Sequence, residues 1–368
     1  MWGKRMTSIA HGRQSGMPAS ADAAPAPIER LLVVGLGSIG RRHARISRQL
    51  VPTAHIAAWR HRLTAEPLPV EVESSFTSLD EVVAFAPQAA VVASPATHHL
   101  DAAMALASAG VHLLVEKPIA ASAAGVQALL DRCAEREVVL MTGYNMRFLP
   151  SLDRFRALLV EGVVGRPLSV RAECGSYLPS WRSTQDYREV ASARASLGGG
   201  VLLELSHEFD YLRWLFGEVS WVQAVARTQS ALEIDVEDTA HVILGFVPGA
   251  DGASVIASVN LDFVRHDATR TCTVIGTDGT LRWNGITGTV ELIPAGGAWE
   301  TVASLPADRD TSYVAEWRHF FSCVASRSTP LVSGADGLAA MRIVDAAREA
   351  SDREAVVRLD GQAQRRRP

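Results

Sequence analysis

A lysine closing an apolar run and a helix-like stretch with a histidine between two carboxylates are the groups best suited to moving a proton in this chain. Lys117 follows Val111, His112, Leu113, Leu114, Val115 and Glu116, a run that reads as a buried strand. Ligands of open α/β sheets lie beyond the carboxyl ends of the strands, so Lys117 projects towards any bound cofactor. Pro118 biases it to an extended backbone, and a positive charge on a neighbouring ligand would make it release its proton more readily, because like charge disfavours the charged form. That describes a general acid-base group; the plainer alternative is a lysine reaching for solvent. Glu204, His207 and Asp210 recur every three residues in GGGVLLELSHEFDYLRWLFG. On one helix that spacing keeps neighbours near one face, where a carboxylate would orient the imidazole and set which nitrogen bears the proton. The plainer alternative there is a surface histidine among ordinary helix charges.

Hydride chemistry needs a cofactor, and the chain offers a place for one. The strand-like 31–34 runs into Gly35, Leu36, Gly37, Ser38, Ile39 and Gly40 and then into a basic helix opening Arg41, Arg42, His43. This is the dinucleotide-binding fingerprint in its required context. Gly35 permits the turn, Gly37 the approach of a pyrophosphate and Gly40 the close packing of helix on strand, with the anion at the helix N-terminus. An NAD site usually places an acid about 20 residues further on. Here Trp59, Arg60, His61 and Arg62 stand in that stretch, and Arg60 and Arg62 suit the 2′-phosphate of NADP. NADP is therefore the expected cofactor, with NAD as the alternative.

A further loop, 176–188, is rich in rings and guanidinium groups: Tyr177, Trp181, Arg182 and Tyr187. Such rings stack on a sugar or base while arginine grips phosphate or carboxylate, which points to a nucleotide-linked or acidic sugar; alternatively the loop is a lid packing its rings internally.

The elements that must position these groups follow from periodicity. Strand-like runs at 55–59, 89–93, 111–115 and 138–141 alternate with helical stretches at 99–109 and 123–136, which specifies a parallel, doubly wound α/β sheet. Beyond Tyr144 the rhythm changes to a helix near 152–160, a strand near 168–173, an irregular loop and a helix over 201–216. From 221 to about 293 short strands dominate. In 254–263 apolar Val255, Ala257, Val259, Leu261 and Phe263 alternate with polar residues, as in an antiparallel sheet with one buried face. Pairing with a second subunit would cover the other. Helices at 314–326 and 335–348 are expected to return to the first domain. The domain expectation is a disordered extension over 1–29, a nucleotide-binding domain over 30–145, a substrate and oligomerisation domain over 146–333, a returning helix over 334–352 and a tail over 353–368. Met6 and Met17 are alternative starts.

At 368 residues, with 48% hydrophobic and 21% charged residues, the chain suits an ordinary two-domain globular protein. A net charge of −4 gives no reason to expect nucleic acid, and no apolar run approaches the roughly 20 residues that cross a bilayer. Cys133, Cys174, Cys272 and Cys323 form no CxxC pair, which argues against a metal site and fits a reducing cytoplasm.

The segments GLGSIGRRH, SPATHH, VEKPIA, GYNMRF and GGGVLLELSHEFDYLRWLFG resemble the glucose-fructose oxidoreductase, inositol dehydrogenase and rhizopine-catabolism family across roughly 30–350. The resemblance implies an N-terminal Rossmann domain and a C-terminal α/β domain with an open, mostly antiparallel sheet, assembled as dimers or tetramers. It implies catalytic roles for Lys117 and His207. It also implies a cofactor loop at Ser94, Pro95, Thr97 and His99, with Glu116 beside it, and places Asn145 and Arg147 near nicotinamide and substrate. The common family pattern has Asp, three residues, then His, whereas Glu204 precedes His207 by two residues, so the acidic partner stays open. The expected function is reversible oxidation of a ring hydroxyl on a sugar, cyclitol or nucleotide sugar. The alternatives are redox-neutral glycoside cleavage with held nicotinamide, and a cofactor-sensing regulator.

Overall fold

The computed structural model describes residues 28–61, 67–181, 185–249 and 252–359. Arg62, Arg182, nearly all of the N-terminal extension and the closing basic residues lie outside them.

Strands β1 (Arg30–Val34), β2 (His55–Trp59), β3 (Ser74–Phe76), β4 (Ala89–Val92), β5 (His112–Glu116) and β6 (Leu140–Gly143) form a parallel sheet in the order β3-β2-β1-β4-β5-β6. Helices α1 (Ser38–Leu50), α2 (Leu79–Phe85), α3 (His99–Ser108) and α4 (Val126–Glu135) connect them. The order reverses between β1 and β4, which opens the ligand crevice of a doubly wound sheet. Both faces are covered, so the strands are continuously apolar. Leu32, Val34, Val92 and Val115 pack in one core, while Leu31, Val33, Val91 and Leu114 pack in the other.

The second domain follows with α5 (Pro150–Val160), β7 (Pro167–Gly175), α6 (Val201–Glu204), α7 (His207–Phe216), β8 (Val219–Arg227), β9 (Thr239–Phe246), β10 (Ile256–Asp262), β11 (Thr269–Gly276), β12 (Gly279–Asn284), β13 (Thr289–Pro294) and β14 (Glu300–Ser304). With β15 (Val357–Arg358) these strands form a nine-stranded sheet in the order β14-β13-β12-β11-β7-β10-β9-β8-β15. All its pairings are antiparallel except β7 with β10. The alternation in β10 places Ala257, Val259 and Leu261 in the core and Ser258, Asn260 and Asp262 on the outer face.

Three expectations change. The stretch 201–216 is two helices, because the Ser206 hydroxyl turns back onto the Leu203 carbonyl oxygen at 2.8 Å and competes with the helical ladder. Of the closing helices, α8 (Thr311–Ser326) docks on α1, burying Trp317 and Phe320 in the nucleotide-binding domain, but α9 (Gly334–Arg353) lies across β8 and also touches α7, α4 and β6. Part of the expected tail becomes an edge strand, β15 pairing with β8. No described helix is long and apolar enough to cross a membrane, and the described residues contain no cluster of His, Cys, Asp and Glu able to hold a metal.

Candidate active site

The glycine turn between β1 and α1 is built for an anion. Gly35 turns with φ +86°, and a Cβ on Gly40 would sit 2.0 Å from the Gly35 carbonyl oxygen, so only glycine lets α1 approach β1. At Gly37 a Cβ would meet nothing within 4 Å. No side chain caps α1 there and no acidic residue stands in its first turn, which leaves the first backbone N–H groups for a ligand. A cleft of about 960 Å³ runs from this turn past Trp59, Arg60, His61 and Thr77. Through Ser38, Ile39, Ser94 and Pro95 it joins an inner pocket of about 290 Å³ that reaches Lys117 and Glu204. The open backbone, the positive helix end and this extent fit a dinucleotide.

His99 is buried with Nδ1 2.8 Å from the Pro118 carbonyl oxygen and Nε2 2.7 Å from that of Ser94. It stands between the two loops walling the inner pocket, and burial holds its pKa below the ordinary value, so the neutral ring donates to one of the two carbonyls at a time. Thr97 does not line the cleft; its hydroxyl donates to the Ser196 carbonyl at 3.3 Å, joining the same wall to the loop above.

At the carboxyl end of β5 the Lys117 ammonium donates to the Glu204 carbonyl at 2.9 Å and to its Oε2 at 3.0 Å. An ammonium has three donors, so one direction is left for a ligand in the pocket. Glu204 is steadied through Oε1 by the Ser192 hydroxyl at 2.9 Å. The relay expected from the spacing therefore takes a different form: Glu204 grips Lys117 and Ser192, and His207 Nδ1 is buried without a hydrogen-bond partner. A turn at Leu205 and Ser206 stands between the two residues, at the junction of α6 and α7. His207 stands edge-on to the Tyr144 ring with centroids 5.5 Å apart. Burial, with the Lys117 and Arg270 cations nearby, drives its pKa well below the ordinary histidine value, so the imidazole is neutral; it lies behind Lys117 and itself lines neither pocket. The Arg270 guanidinium is itself paired with buried Glu208 at 2.9 Å.

Asp210 is engaged elsewhere. Arg147 grips it with two bonds, Nε to Oδ2 at 2.9 Å and Nη2 to Oδ1 at 2.6 Å, and also donates to the Leu331 carbonyl. Arg147, expected at the substrate, is buried and lines neither pocket; its fork braces α7 against the segment before α9. Asn145 is likewise buried, with Nδ2 on the Ser312 hydroxyl at 3.0 Å.

The aromatic loop packs inward. Trp181 stands edge-on to Phe263 and its indole N–H donates to the Ser176 hydroxyl at 2.7 Å. The Tyr187 hydroxyl accepts from the Glu233 backbone N–H at 3.3 Å, and Tyr177 leans on His266 with centroids 4.4 Å apart. Its continuation, through Ala191, Ser192, Leu197 and Gly198, is what walls the inner pocket. Sequence reasoning missed Arg42 and Tyr313 in the same wall. The Arg42 guanidinium lies 5.0 Å from the Tyr313 ring centre. A tyrosine arriving on α8 carries no local signal of that place.

Residues 30–144 match the model of an oxidoreductase family's NAD-binding Rossmann fold, and residues 156–359 match that family's C-terminal alpha/beta domain. The chain is 28% identical to a myo-inositol 2-dehydrogenase of Thermotoga maritima over 90% of this chain and 98% of the relative. It is 29% identical to a 1,5-anhydro-D-fructose reductase of Ensifer adhaerens over 73% and 78%. Among solved structures, GenD2 from gentamicin A biosynthesis in complex with NAD is similar with a TM-score of 0.75 and 25% identity, over 93% of this chain and 99% of that one. A levoglucosan dehydrogenase in complex with NADH shares the fold, with a TM-score of 0.77 and 22% identity over 90% and 98%.

Proposed function

The chain belongs to the oxidoreductase family with an NAD-binding Rossmann fold and a C-terminal alpha/beta domain, and from that premise we propose that it moves hydride between a nicotinamide dinucleotide and a ring hydroxyl, or the matching ketone, of a sugar or cyclitol. The observation that carries this reading is the Lys117 ammonium, held by Glu204 beside the inner pocket with one donor unused. Among 36 lysines and arginines, only Lys4 and Lys117 are lysine. Arginine does not give up its proton in proteins, so a lysine kept at this one place in the fold supports acid-base work.

Nicotinamide, when bound, accepts or supplies the hydride. The protein's part is to orient and to handle the proton. Lys117 Nζ hydrogen-bonds the reacting oxygen and passes a proton to or from it, Glu204 fixes the direction of Nζ, and neutral His207 adds no second charge behind it. The loop through Ser192 and Gly198 keeps water from the reacting atoms. Turnover by the purified protein, followed as nicotinamide absorbance with NADP or NAD against free sugars, cyclitols, sugar acids and UDP-linked sugars, tests the reading. Silence across the panel with cofactor binding confirmed would favour redox-neutral glycoside cleavage or a regulator.

The preferred cofactor in this reading is NADP. Arg60 and His61 line the cleft where β2 ends, and the carboxylate nearest in that cleft, Asp101, enters from α3 and not from β2. A tighter dissociation constant for NADH than for NADPH would overturn that preference. The outer face of the second sheet carries Trp221, Val225, Ile243 and Ile256 among polar neighbours, which supports a homodimer or homotetramer joined through that face. Light scattering that finds only monomer would rule it out.

A further inference from the structure

Behind Lys117 lies a buried polar chain that the hydride reading does not use. It begins on α8, where the Trp317 indole N–H donates to His43 Nδ1 at 2.9 Å. His43, on α1, stands with Nε2 2.7 Å from Glu116 Oε1. Glu116 Oε2 in turn accepts the Lys117 backbone N–H at 3.0 Å. Trp317 and His43 are fully buried and Glu116 nearly so.

The proton positions follow from chemistry. Indole N–H only donates, so His43 Nδ1 must accept, and the imidazole hydrogen sits on Nε2, where it points at Glu116. Burial pushes the Glu116 carboxyl up, but the His43 hydrogen bond, the nearby Lys117 charge and the Lys117 backbone N–H outweigh it and hold the group below its ordinary value. The carboxylate stays an acceptor for both neighbours. Gly143 on β6 leaves room for it, since a Cβ there would lie 3.3 Å from Oε2.

We propose that Trp317 and His43 are positioning residues for Lys117: Trp317 fixes the His43 tautomer that donates to Glu116, and Glu116 so held anchors the Lys117 backbone amide. The proposal rests on the reading of Lys117 as the proton carrier. Lys117 is then held at both ends by different parts of the molecule, its amide through α1 and α8 and its ammonium through Glu204 on α6. Stability alone is a poor reason for this chain, because buried hydrogen-bond partners replaced together by apolar groups of the same shape can be nearly neutral for stability. A misplacement of about 1 Å at a reacting group, however, can cost about 100-fold in rate.

The two lysines give the test a clean reporter. Incorporation of [ε-13C]lysine labels only Lys4 and Lys117 and leaves all three ammonium donors in place, and the Lys117 signal is assigned by its loss in Lys117→Arg. His43→Leu removes the donor, His43→Gln places an amide donor near the position of Nε2, and Trp317→Phe frees Nδ1 while keeping an aromatic ring in the core. The expected result is a displaced Lys117 signal and a kcat about 10- to 100-fold lower in His43→Leu, with cofactor affinity held. His43→Gln should return both towards wild type, and Trp317→Phe should displace the signal in the same direction as His43→Leu. A wild-type Lys117 signal and kcat in folded His43→Leu would overturn the proposal, as would His43→Gln behaving no better than His43→Leu. If His43→Leu does not fold, a wild-type Lys117 signal in Trp317→Phe overturns it instead. The signal needs no turnover, so an enzyme inactive on every substrate would sink the hydride reading while the signal still decides the relay.

Discussion

At the scale of single residues, the reading concentrates on an ammonium that no arginine can replace. Lys117→Arg keeps a cation beside Glu204 yet removes the proton donor, and both it and Lys117→Ala should lose about 10²- to 10⁴-fold in kcat with the dinucleotide still bound, measured by steady-state kinetics and fluorescence titration. A wild-type rate in Lys117→Arg would remove the lysine from the chemistry. His207 makes a second prediction. Its pKa is pushed well down, so the imidazole stays neutral through its ordinary titration range, and the pH-rate profile should show no acid limb at about 6.5 from this group. Lys117 and the glycines were legible because each sits in a short motif whose steric logic is local. The partners were not. Spacing by three pointed Glu204 at His207, but a turn parts α6 from α7 between them, and the carboxylate meets Lys117, 87 residues away in the chain. Arg147 was expected at the substrate from the resemblance of GYNMRF to the family's motif, whereas its bidentate bond to Asp210 depends on how α7 packs.

At the scale of elements, the glycine turn separates what folding needs from what a ligand needs. A Cβ at position 40 would strike the Gly35 carbonyl oxygen at 2.0 Å, so Gly40→Ala should cost about 1–3 kcal/mol of stability or more and lower Tm. A Cβ at position 37 meets open space, so Gly37→Ala should leave Tm near wild type. It should nonetheless weaken dinucleotide binding about tenfold or more, which is about 1.4 kcal/mol, because the new methyl stands where a pyrophosphate approaches. Thermal unfolding and cofactor titration of the two variants check the pair, and equal affinity in Gly37→Ala and wild type would show that no ligand approaches there. Strands buried on both faces were readable as apolar runs, and β10 as an alternation. Three-residue β3 and two-residue β15 are too short to give a period, and β15 forms only because β8 offers it an edge.

At the scale of the whole molecule, the change of rhythm after Tyr144 pointed to a second domain, and the helix over 314–326, expected to return to the first domain, buries Trp317 and Phe320 in its core. That packing seals titratable groups in apolar surroundings and sets how stability depends on pH. Burial holds His99, His112, His207 and His319 below their ordinary pKa, His112 at about 4. At His112 the reason is visible, since Nδ1 accepts the Val139 backbone N–H at 3.0 Å and cannot also hold a proton. Above about pH 6.5 these groups are neutral in both states and the stability is fully present. As the pH falls below that, the unfolded chain takes up protons that the native chain refuses, and stability drops by up to about 1.4 kcal/mol per pH unit for each such histidine. Glu316 works in the opposite sense. It is fully buried beside Glu116, and its pKa is raised well above 4.5, so the native state keeps a proton that the unfolded chain releases, and stability is lost as the pH rises from 4.5. Glu316 is joined in that sense by the raised carboxyls of Asp210 and Asp345; the four histidines oppose all three between pH 6.5 and 5, and the urea midpoint should fall over that interval. His112→Asn, whose side-chain oxygen can take the Val139 hydrogen bond without titrating, should make the fall shallower. Glu316→Gln, neutral at every pH, should raise the midpoint at pH 7.5 more than at pH 5. An unchanged pH dependence in His112→Asn would show that His112 titrates alike in the folded and unfolded chains.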